Sequence, residues 1–237
     1  MSATETLTVG FGDGDAGVQG LAIEGSGALL SIDGHLAPAP GFDLTDVDGA
    51  ACRVRGDGDY DVTLEPVSPP VELGPATRTW ICRARGNTGG RLLDGFGSLT
   101  RSAAPADGVT LQRAVIAWLG PELALALAAR RPRKAGGHGD EELHAAILRG
   151  ASLEPVPVED PRLSSTYDGD GRLIRCGIEL WEPADAEFAQ RLGGIATAHG
   201  DLVHPNGARS RVAFIAWHGE RQQGIGSYVI TKSPRRP

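Results

Sequence analysis

The sequence lacks the features that would place it in a membrane or on nucleic acid. No apolar run approaches the ~20 residues that a transmembrane helix requires, so we predict no membrane span. The formal net charge is -7, and a broad basic face for nucleic acid is therefore not expected. The first eight residues lack the basic start and apolar run of a signal peptide, which favours a cytoplasmic location.

Cysteine is scarce and does not form a recognisable pattern. Cys52, Cys82 and Cys176 are widely spaced, with neither a CxxC pair nor a Cys/His ligand spacing. We expect three reduced thiols in the core, and we predict no metal site.

Motifs that would fix a reaction are also missing. The sequence contains neither a GxSxG nucleophile elbow nor a Walker A loop, and we predict no cofactor. Residues 12–17 spell GxGxxG, but a dinucleotide site needs a helix to begin there, and three further glycines follow by residue 27. A glycine-rich turn is the better interpretation.

The sequence is rich instead in glycine, proline and short alternating segments. The 34 glycines and 16 prolines make up about a fifth of the chain, where about 12% is usual, and this disfavours a helical bundle. Alternating segments recur about every ten residues between Asp-Gly and Asn-Gly pairs, which is typical of meandering antiparallel sheets. The predicted strands are residues 28–32, 51–55, 60–66, 78–85, 111–119, 173–181, 211–217 and 226–232.

Some segments are harder to assign. Residues 122–131 alternate leucine and alanine, and we favour a strand although both residues also form helices. Short helices are predicted at 140–148 and, after Pro183, at 184–191. The proline-spaced residues 154–161 indicate an extended connector. We therefore predict a single all-β module over residues 1–237, with a candidate seam at 150–162.

Two short patterns occur twice. Residues 116–120 and 215–219 share IAWxG, and residues 95–98 and 224–227 share GxGS. The order of the two patterns is reversed between the halves of the chain. Two similar hairpins or coincidence explain the repeats at least as well as an internal duplication does.

The segment from Gly136 to His144, GGHGDEELH, could carry chemistry. On a helix, His138 would share a face with Glu141 or Glu142, as in an acid–base pair at a pocket edge. The alternative is a solvated loop that leads into a short charged segment.

The strand from Cys176 to Trp181 offers a second candidate. Period-two geometry sends Glu179 and Trp181 to the same face. Inside a barrel mouth, an acidic group beside an indole could act as a proton donor. At the surface, Glu179 would simply pair with an arginine, for instance Arg175.

Three segments carry a family resemblance. Residues 163–181 (LSSTYDGDGRLIRCGIELW), 214–228 (FIAWHGERQQGIGSY) and 61–73 (DVTLEPVSPPVEL) resemble bacterial proteins related to the hydroxyneurosporene synthase, or carotenoid hydratase, group. The resemblance implies a lipocalin-type barrel, or two barrel-like halves, around an apolar cavity. It also implies enzymes that hydrate or cyclise polyene, terpenoid and polyketide substrates without a redox cofactor.

Together these observations predict an all-β fold, either an antiparallel lipocalin-like barrel or two barrel-like or sandwich halves with one or two short helices. The predicted function is a cofactor-free enzyme that acts on a hydrophobic small molecule by acid-assisted hydration, cyclisation or isomerisation inside a barrel cavity. The alternatives are a carrier of the same class of ligand and a structural protein, for instance a homodimer. The predicted catalytic residues are Glu179, Tyr167 and His138, and the predicted ligand-binding residues are Trp181, Trp217, Tyr60 and Trp80.

Overall fold

The structure, a computed structural model, describes residues 5–39, 42–47, 51–57, 60–103, 109–134, 140–182 and 189–234. These residues form strands, turns and loops, and no α-helix occurs among them. The all-β prediction is therefore confirmed. The strands are β1 (Glu5–Asp13), β2 (Val18–Ile23), β3 (Gly27–Ile32), β4 (His35–Pro38), β5 (Asp43–Val47), β6 (Ala51–Gly56), β7 (Tyr60–Pro66), β8 (Val71–Glu72), β9 (Thr77–Thr88), β10 (Arg91–Ala103), β11 (Val109–Gly120), β12 (Leu123–Pro132), β13 (Glu142–Arg149), β14 (Glu154–Pro157), β15 (Arg162–Tyr167), β16 (Leu173–Leu180), β17 (Gln190–Val203), β18 (Arg209–His218) and β19 (Gln223–Lys232).

The strands form two antiparallel sheets that follow one another along the chain. Strands β1 to β10 make the first sheet and β11 to β19 the second, so the chain crosses between sheets after Ala103. In each sheet the two edge strands, β4 and β5 or β14 and β15, are consecutive in the chain. Each sheet is curled as a half-barrel, which confirms the prediction of two barrel-like halves. Residues 150–162 run from the end of β13 through β14 to the first residue of β15, within the second sheet's part of the chain.

Tight turns join neighbouring strands, as the Asp-Gly pairs predicted. In the turn between β15 and β16, the Asp168 carboxylate accepts hydrogen bonds from the backbone N–H groups of Asp170 and Arg172. Gly171 completes this turn with a φ of 73°, a conformation that glycine adopts without steric cost.

The two sheets share one topology. Each begins with a four-stranded meander and ends with a strand that pairs with the first one, β10 with β1 and β19 with β11. The two GxGS patterns are equivalent, since Gly97 of β10 lies opposite Phe11 and Gly226 of β19 lies opposite Ala117. The two IAWxG patterns lie on β11 and β18, which are not equivalent strands. This explains why the order of the patterns is reversed.

Side chains fill the concave interior of each half-barrel. Phe11, Tyr60 and Leu64 are buried inside the first sheet, and Trp217 and Tyr228 are buried inside the second. The expectation of a hollow, apolar barrel is therefore wrong for these two interiors, because large side chains occupy them.

The two half-barrels pack against each other through their outer faces. Trp118 of β11 lies in this interface, and its Nε1 donates a hydrogen bond to the Gly97 carbonyl of β10, 3.1 Å away. A second apolar cluster joins Leu21 of β2 to Phe214 of β18. The strands of the interface are therefore buried on both faces.

Burial on both faces explains the two ambiguous segments. Residues 123–132 form β12, as favoured, with Leu125 and Leu127 inside the second half-barrel and Ala126 at the interface between the sheets. The helix predicted at 140–148 is wrong: Glu142–Arg149 is strand β13, paired with β12. Its apolar residues face both sides, and sequence periodicity does not distinguish such a strand from a helix.

The remaining predictions of local structure have mixed outcomes. Pro155 and Pro157 lie on β14, a four-residue edge strand, where a missing N–H group is tolerated. Of the helix predicted at 184–191, residues 184–188 lie outside the described residues, and β17 begins at Gln190. Across the described ranges, the structure contains no helix with the length and apolarity to cross a membrane.

Candidate functional site

A cavity of about 100 Å³ lies between the two sheets. Its apolar wall includes Leu21 and Ile23 of β2, Ile116 of β11 and Val229 of β19. These residues belong to the two apolar clusters that join the half-barrels, so the cavity lies between the two regions of contact.

The first sheet contributes hydroxyl groups to the cavity. Thr6 and Thr8 of β1 lie opposite Ser102 and Thr100 of β10, and Ser98 is two residues further along β10. They occupy alternate positions of their strands and therefore share the outer face of the sheet. The intervening residues face the interior of the first half-barrel.

The second sheet contributes a polar row that crosses four neighbouring strands. Arg130 of β12 lies opposite Gln112 of β11, Gln112 opposite Thr231 of β19, and Thr231 opposite Ser210 of β18. Residues opposite each other on antiparallel strands share a face, with Cβ atoms ~5 Å apart. Three of the four, Arg130, Gln112 and Thr231, line the cavity directly.

His204 extends this row and bridges the two sheets. Its Nε2 lies 2.7 Å from Ser210 Oγ, which lies 2.7 Å from Thr231 Oγ1. Its Nδ1 lies 3.0 Å from Ser26 Oγ, in the turn between β2 and β3 of the first sheet. Burial lowers the pKa of His204, because the charged imidazolium loses solvation. His204 itself lines the cavity, so a neutral imidazole is connected to a cavity hydroxyl through Ser210.

Two nitrogen atoms of the polar row are buried without a hydrogen-bond partner among the described residues. They are Nε2 of Gln112 and Nη2 of Arg130. A buried donor without a partner is costly, and it marks a place where a ligand or an ordered water would be bound.

Glu179 does not line the cavity. Its neighbours Ile178 and Leu180 point into the second half-barrel, so Glu179 faces outward with its side chain 37% exposed. Its Oε1 lies 3.0 Å from Nε of Arg191. The structure thus shows the surface ion pair that was the alternative for this residue, with Arg191 in place of Arg175.

Tyr167 and Glu141 belong to one buried polar cluster inside the second half-barrel. The Tyr167 hydroxyl lies 3.1 Å from that of Tyr228, which accepts a hydrogen bond from Arg113 at 3.2 Å. Arg113 also binds the buried carboxylate of Glu141. His138 lies outside the described residues.

The four aromatic residues predicted to bind a ligand do not line the cavity. Trp217 is buried inside the second half-barrel, where its Nε1 donates to the Ile116 carbonyl at 3.3 Å. Tyr60 and Trp80 pack inside the first half-barrel. Trp181 lies on a surface groove beside Arg191. Trp217, Tyr60 and Trp80 are therefore part of the half-barrel cores, whereas Trp181 is not.

Sequence reasoning missed His204, Gln112, Arg130, Ser210 and Thr231. One signal was present: hydroxyl residues at alternate positions of a strand, as at Ser98, Thr100 and Ser102. The signal shows that a polar face exists, but not which other strand it meets. Among the described residues, no group of three or more His, Cys, Asp or Glu side chains is placed to hold a metal ion.

Comparison with known proteins identifies the fold. No protein-family model matches the chain, and no curated protein matches it. CghA, solved with Sch210972, aligns with a TM-score of 0.64 at 14% identity, covering 97% of this chain and 89% of that one. A protein from Nitrosomonas europaea aligns with a TM-score of 0.62 at 13% identity, over 96% of this chain and 92% of that one.

Kievitone hydratase from Nectria haematococca is similar to a comparable degree. It aligns with a TM-score of 0.58 at 12% identity, over 98% of this chain and 89% of that one. The chain therefore has the fold of these proteins along nearly its whole length. This confirms the lipocalin-like fold that the resemblance to the carotenoid hydratase group implied.

Proposed function

We propose that this chain is an enzyme that binds a largely apolar small molecule between its two sheets and hydrates, dehydrates, isomerises or cyclises it. The connection of His204 through Ser210 to the cavity hydroxyl of Thr231 carries this proposal. The imidazole of His204 is half-buried at the cavity and is suited to proton transfer, a step that a simple carrier does not perform.

The hydrogen bonds of His204 suit a general base. With Nδ1–H donating to Ser26 Oγ, Nε2 is free to accept a proton from Ser210. Water beside Thr231 would pass a proton to Thr231 as Thr231 passes its own to Ser210 and Ser210 passes one to His204. The oxygen then bonds to an electron-poor carbon of a double bond, and the proton returns from His204 to the neighbouring carbon. The reverse of this path eliminates water. When no water is added, transfer of a proton from one carbon to another along the same path shifts the double bond.

The cavity volume limits what can be enclosed. An engineered cavity of about 150 Å³ holds benzene, so the volume of about 100 Å³ encloses a group smaller than benzene, such as the end of a chain. The reacting end of the substrate would lie between the sheets, and the rest of a larger substrate would extend from the opening.

The fold comparisons agree with this class of reaction. Kievitone hydratase is a hydratase by name, and CghA was solved with the small molecule Sch210972. We extend both features, hydratase-type chemistry and a small-molecule ligand, to this chain as part of the proposal.

An isotope experiment on a mixture of candidate substrates tests the proposal. The protein is incubated with an apolar metabolite extract in ¹⁸O-labelled water, and products are compared by mass spectrometry. Hydration adds one labelled oxygen, whereas isomerisation and cyclisation change the retention time at constant mass. We expect His204→Gln to reduce conversion by about 10²–10⁴-fold, the usual contribution of a general base.

A matched pair of variants tests whether the reaction occurs in the cavity. Ala114 lines the cavity, so Ala114→Leu narrows it, whereas Ala151→Leu makes the same change in an exposed turn. We expect loss of conversion in the first variant only. Conversion that survives both Ala114→Leu and His204→Gln contradicts the proposal. Binding of a compound without any conversion would show that the protein is a carrier.

A further inference from the structure

The two donors without partners lie next to each other. Gln112 and Arg130 face each other across β11 and β12, and both side chains line the cavity. Gln112 Nε2 and Arg130 Nη2 find no hydrogen-bond partner among the described residues. Two unpaired N–H donors on neighbouring residues of one cavity wall are suited to hold a carboxylate or a developing oxyanion.

The charge of the cavity wall indicates the sign of the charge on the ligand. The protein has a formal net charge of -7, yet none of the described residues that line the cavity is Asp or Glu, whereas Arg130 is one of them. Arg113 also borders the cavity, but its guanidinium is turned away and binds Glu141. Glu142, opposite Arg130 on β13, is exposed and does not line the cavity. Burial lowers the pKa of Arg130, and the attraction of Glu142 offsets this lowering only in part. An anion in the cavity would replace the solvation that burial removes.

We therefore propose that the substrate carries an oxyanion, a carboxylate or an enolate, which is held between Gln112 Nε2 and Arg130 Nη2. This inference rests on the proposed function, because it concerns the same cavity, and it adds the chemical class of the substrate. The hydroxyl groups of the first sheet face this pair and complete a polar end to the cavity. The apolar residues Leu21, Ile116 and Val229 would receive the rest of the enclosed group.

The position of the pair also has a consequence for the reaction. Gln112 lies opposite Arg130 on one side and opposite Thr231 on the other. An oxyanion held by the pair is therefore adjacent to the hydroxyl that ends the His204 relay. If an enolate forms next to this relay, Gln112 and Arg130 stabilise its negative charge where that charge develops.

Binding of small probes tests the inference without turnover. Three small probes are compared by NMR: isobutyrate, the enolate of 1,3-cyclopentanedione, and neutral isobutanol. The methyl signals of Ile116 and Val229 report occupation of the cavity, and the side-chain amide signals of Gln112 report contact with the oxyanion. We expect the anions to bind at least about tenfold more tightly than the alcohol and to shift the Gln112 amide.

Variants show whether the pair causes this preference. We expect Arg130→Met and Gln112→Met each to remove most of the preference for anions while binding of the alcohol changes by less than about twofold. The matched control is Arg175→Met, on the exposed face of β16, which should leave the preference unchanged. If one variant fails to fold, the other variant and the comparison of probes on the parent protein still decide the question.

The outcomes separate this inference from the proposed function. A preference for the carboxylate or for the enolate supports the inference and identifies the group. Equal binding of the alcohol, or methyl shifts without a Gln112 amide shift, overturns the inference but leaves a cavity that binds small molecules. If no probe shifts the methyl signals at saturating concentration, the cavity takes no guest and both proposals fail.

Discussion

Arg113 Nη2 donates a hydrogen bond to Glu141 Oε1 across 2.7 Å, with the two side chains only 2% and 3% exposed. Arg131 Nε donates to the same oxygen at 2.7 Å, and Arg113 Nη1 donates to the Tyr228 hydroxyl. These residues lie behind the cavity wall, since Arg113 follows Gln112 on β11 and Arg131 follows Arg130 on β12. The buried ion cluster thus supports the two strands that carry the donor pair.

We expect Glu141→Gln to lower the free energy of unfolding by about 3–5 kcal/mol, because the buried charge of Arg113 loses its counter-ion. Chemical denaturation followed by circular dichroism measures this. Asp160→Asn is the matched control, since Asp160 and its partner Arg162 are 58% and 62% exposed, and it should cause no measurable change. Equal stability of the two variants would contradict the assigned role of the cluster.

The hairpins of this fold could be predicted from sequence because their signals are local. Asp168 and Gly171 specify their own turn, and alternation within β7 indicates which residues are buried. Prediction failed at β13 because apolar residues face both the second half-barrel and the interface between the sheets. The outer faces of these strands are buried only because a second sheet covers them. This packing is a long-range contact, and the pattern within one strand does not reveal it.

The candidate site was hidden for the same reason. Gln112 and Thr231 are 119 positions apart, and only the pairing of β11 with β19 brings them together. His204 reaches Ser26 only because the two half-barrels pack back to back. Reasoning from sequence favoured aromatic and acidic residues on single strands, whereas the site is composed of ordinary polar residues from several strands.

Glu179→Gln tests the catalytic role that the sequence suggested for that residue. Because Glu179 pairs with Arg191 at the surface, we expect conversion of the substrate to remain within about twofold of the parent rate. The measurement is the isotope assay with the parent protein and with His204→Gln in parallel. A large loss of activity in Glu179→Gln alone would restore the acid role and move the reaction away from the cavity between the sheets.

Gly226 should be intolerant of a side chain. A Cβ atom there would lie 2.0 Å from the Ile116 carbonyl oxygen and 2.8 Å from Trp217 Nε1. We expect Gly226→Ala to destabilise the fold by about 1–3 kcal/mol and to alter tryptophan fluorescence, because the Trp217 hydrogen bond to that carbonyl is displaced.

Gly169→Ala is the control for this substitution, because a Cβ atom there meets no atom within 4 Å. Thermal unfolding of the two variants gives the comparison. If both alanines are tolerated equally, the close approach of β19 to β11 is not required for stability.

The three thiols should be unreactive in the folded protein. Cys52, Cys82 and Cys176 are free and buried, and burial raises the pKa of Cys52 and of Cys176 to about 12. Since the thiolate is the nucleophile, its population at neutral pH is negligible. We expect no reaction with a disulfide reagent in buffer and three reacting thiols in denaturant. Rapid labelling of the native protein would show that one half-barrel opens readily.

The pH dependence of stability tests the environment of His204. Its folded-state pKa lies below the value in the unfolded chain, because burial disfavours the imidazolium. The unfolded chain therefore binds more protons as pH falls below about 6.5, the ordinary value. The stabilisation is fully present above that pH and is lost as pH falls through the lowered pKa.

We expect the parent protein to lose stability over this range more steeply than His204→Gln, as measured by denaturation at successive pH values. His35→Gln, at an exposed position of β4, is the matched histidine control. Parallel curves for the parent and His204→Gln would mean that His204 is solvated in the folded state, and a solvated imidazole would give the cavity no buried base.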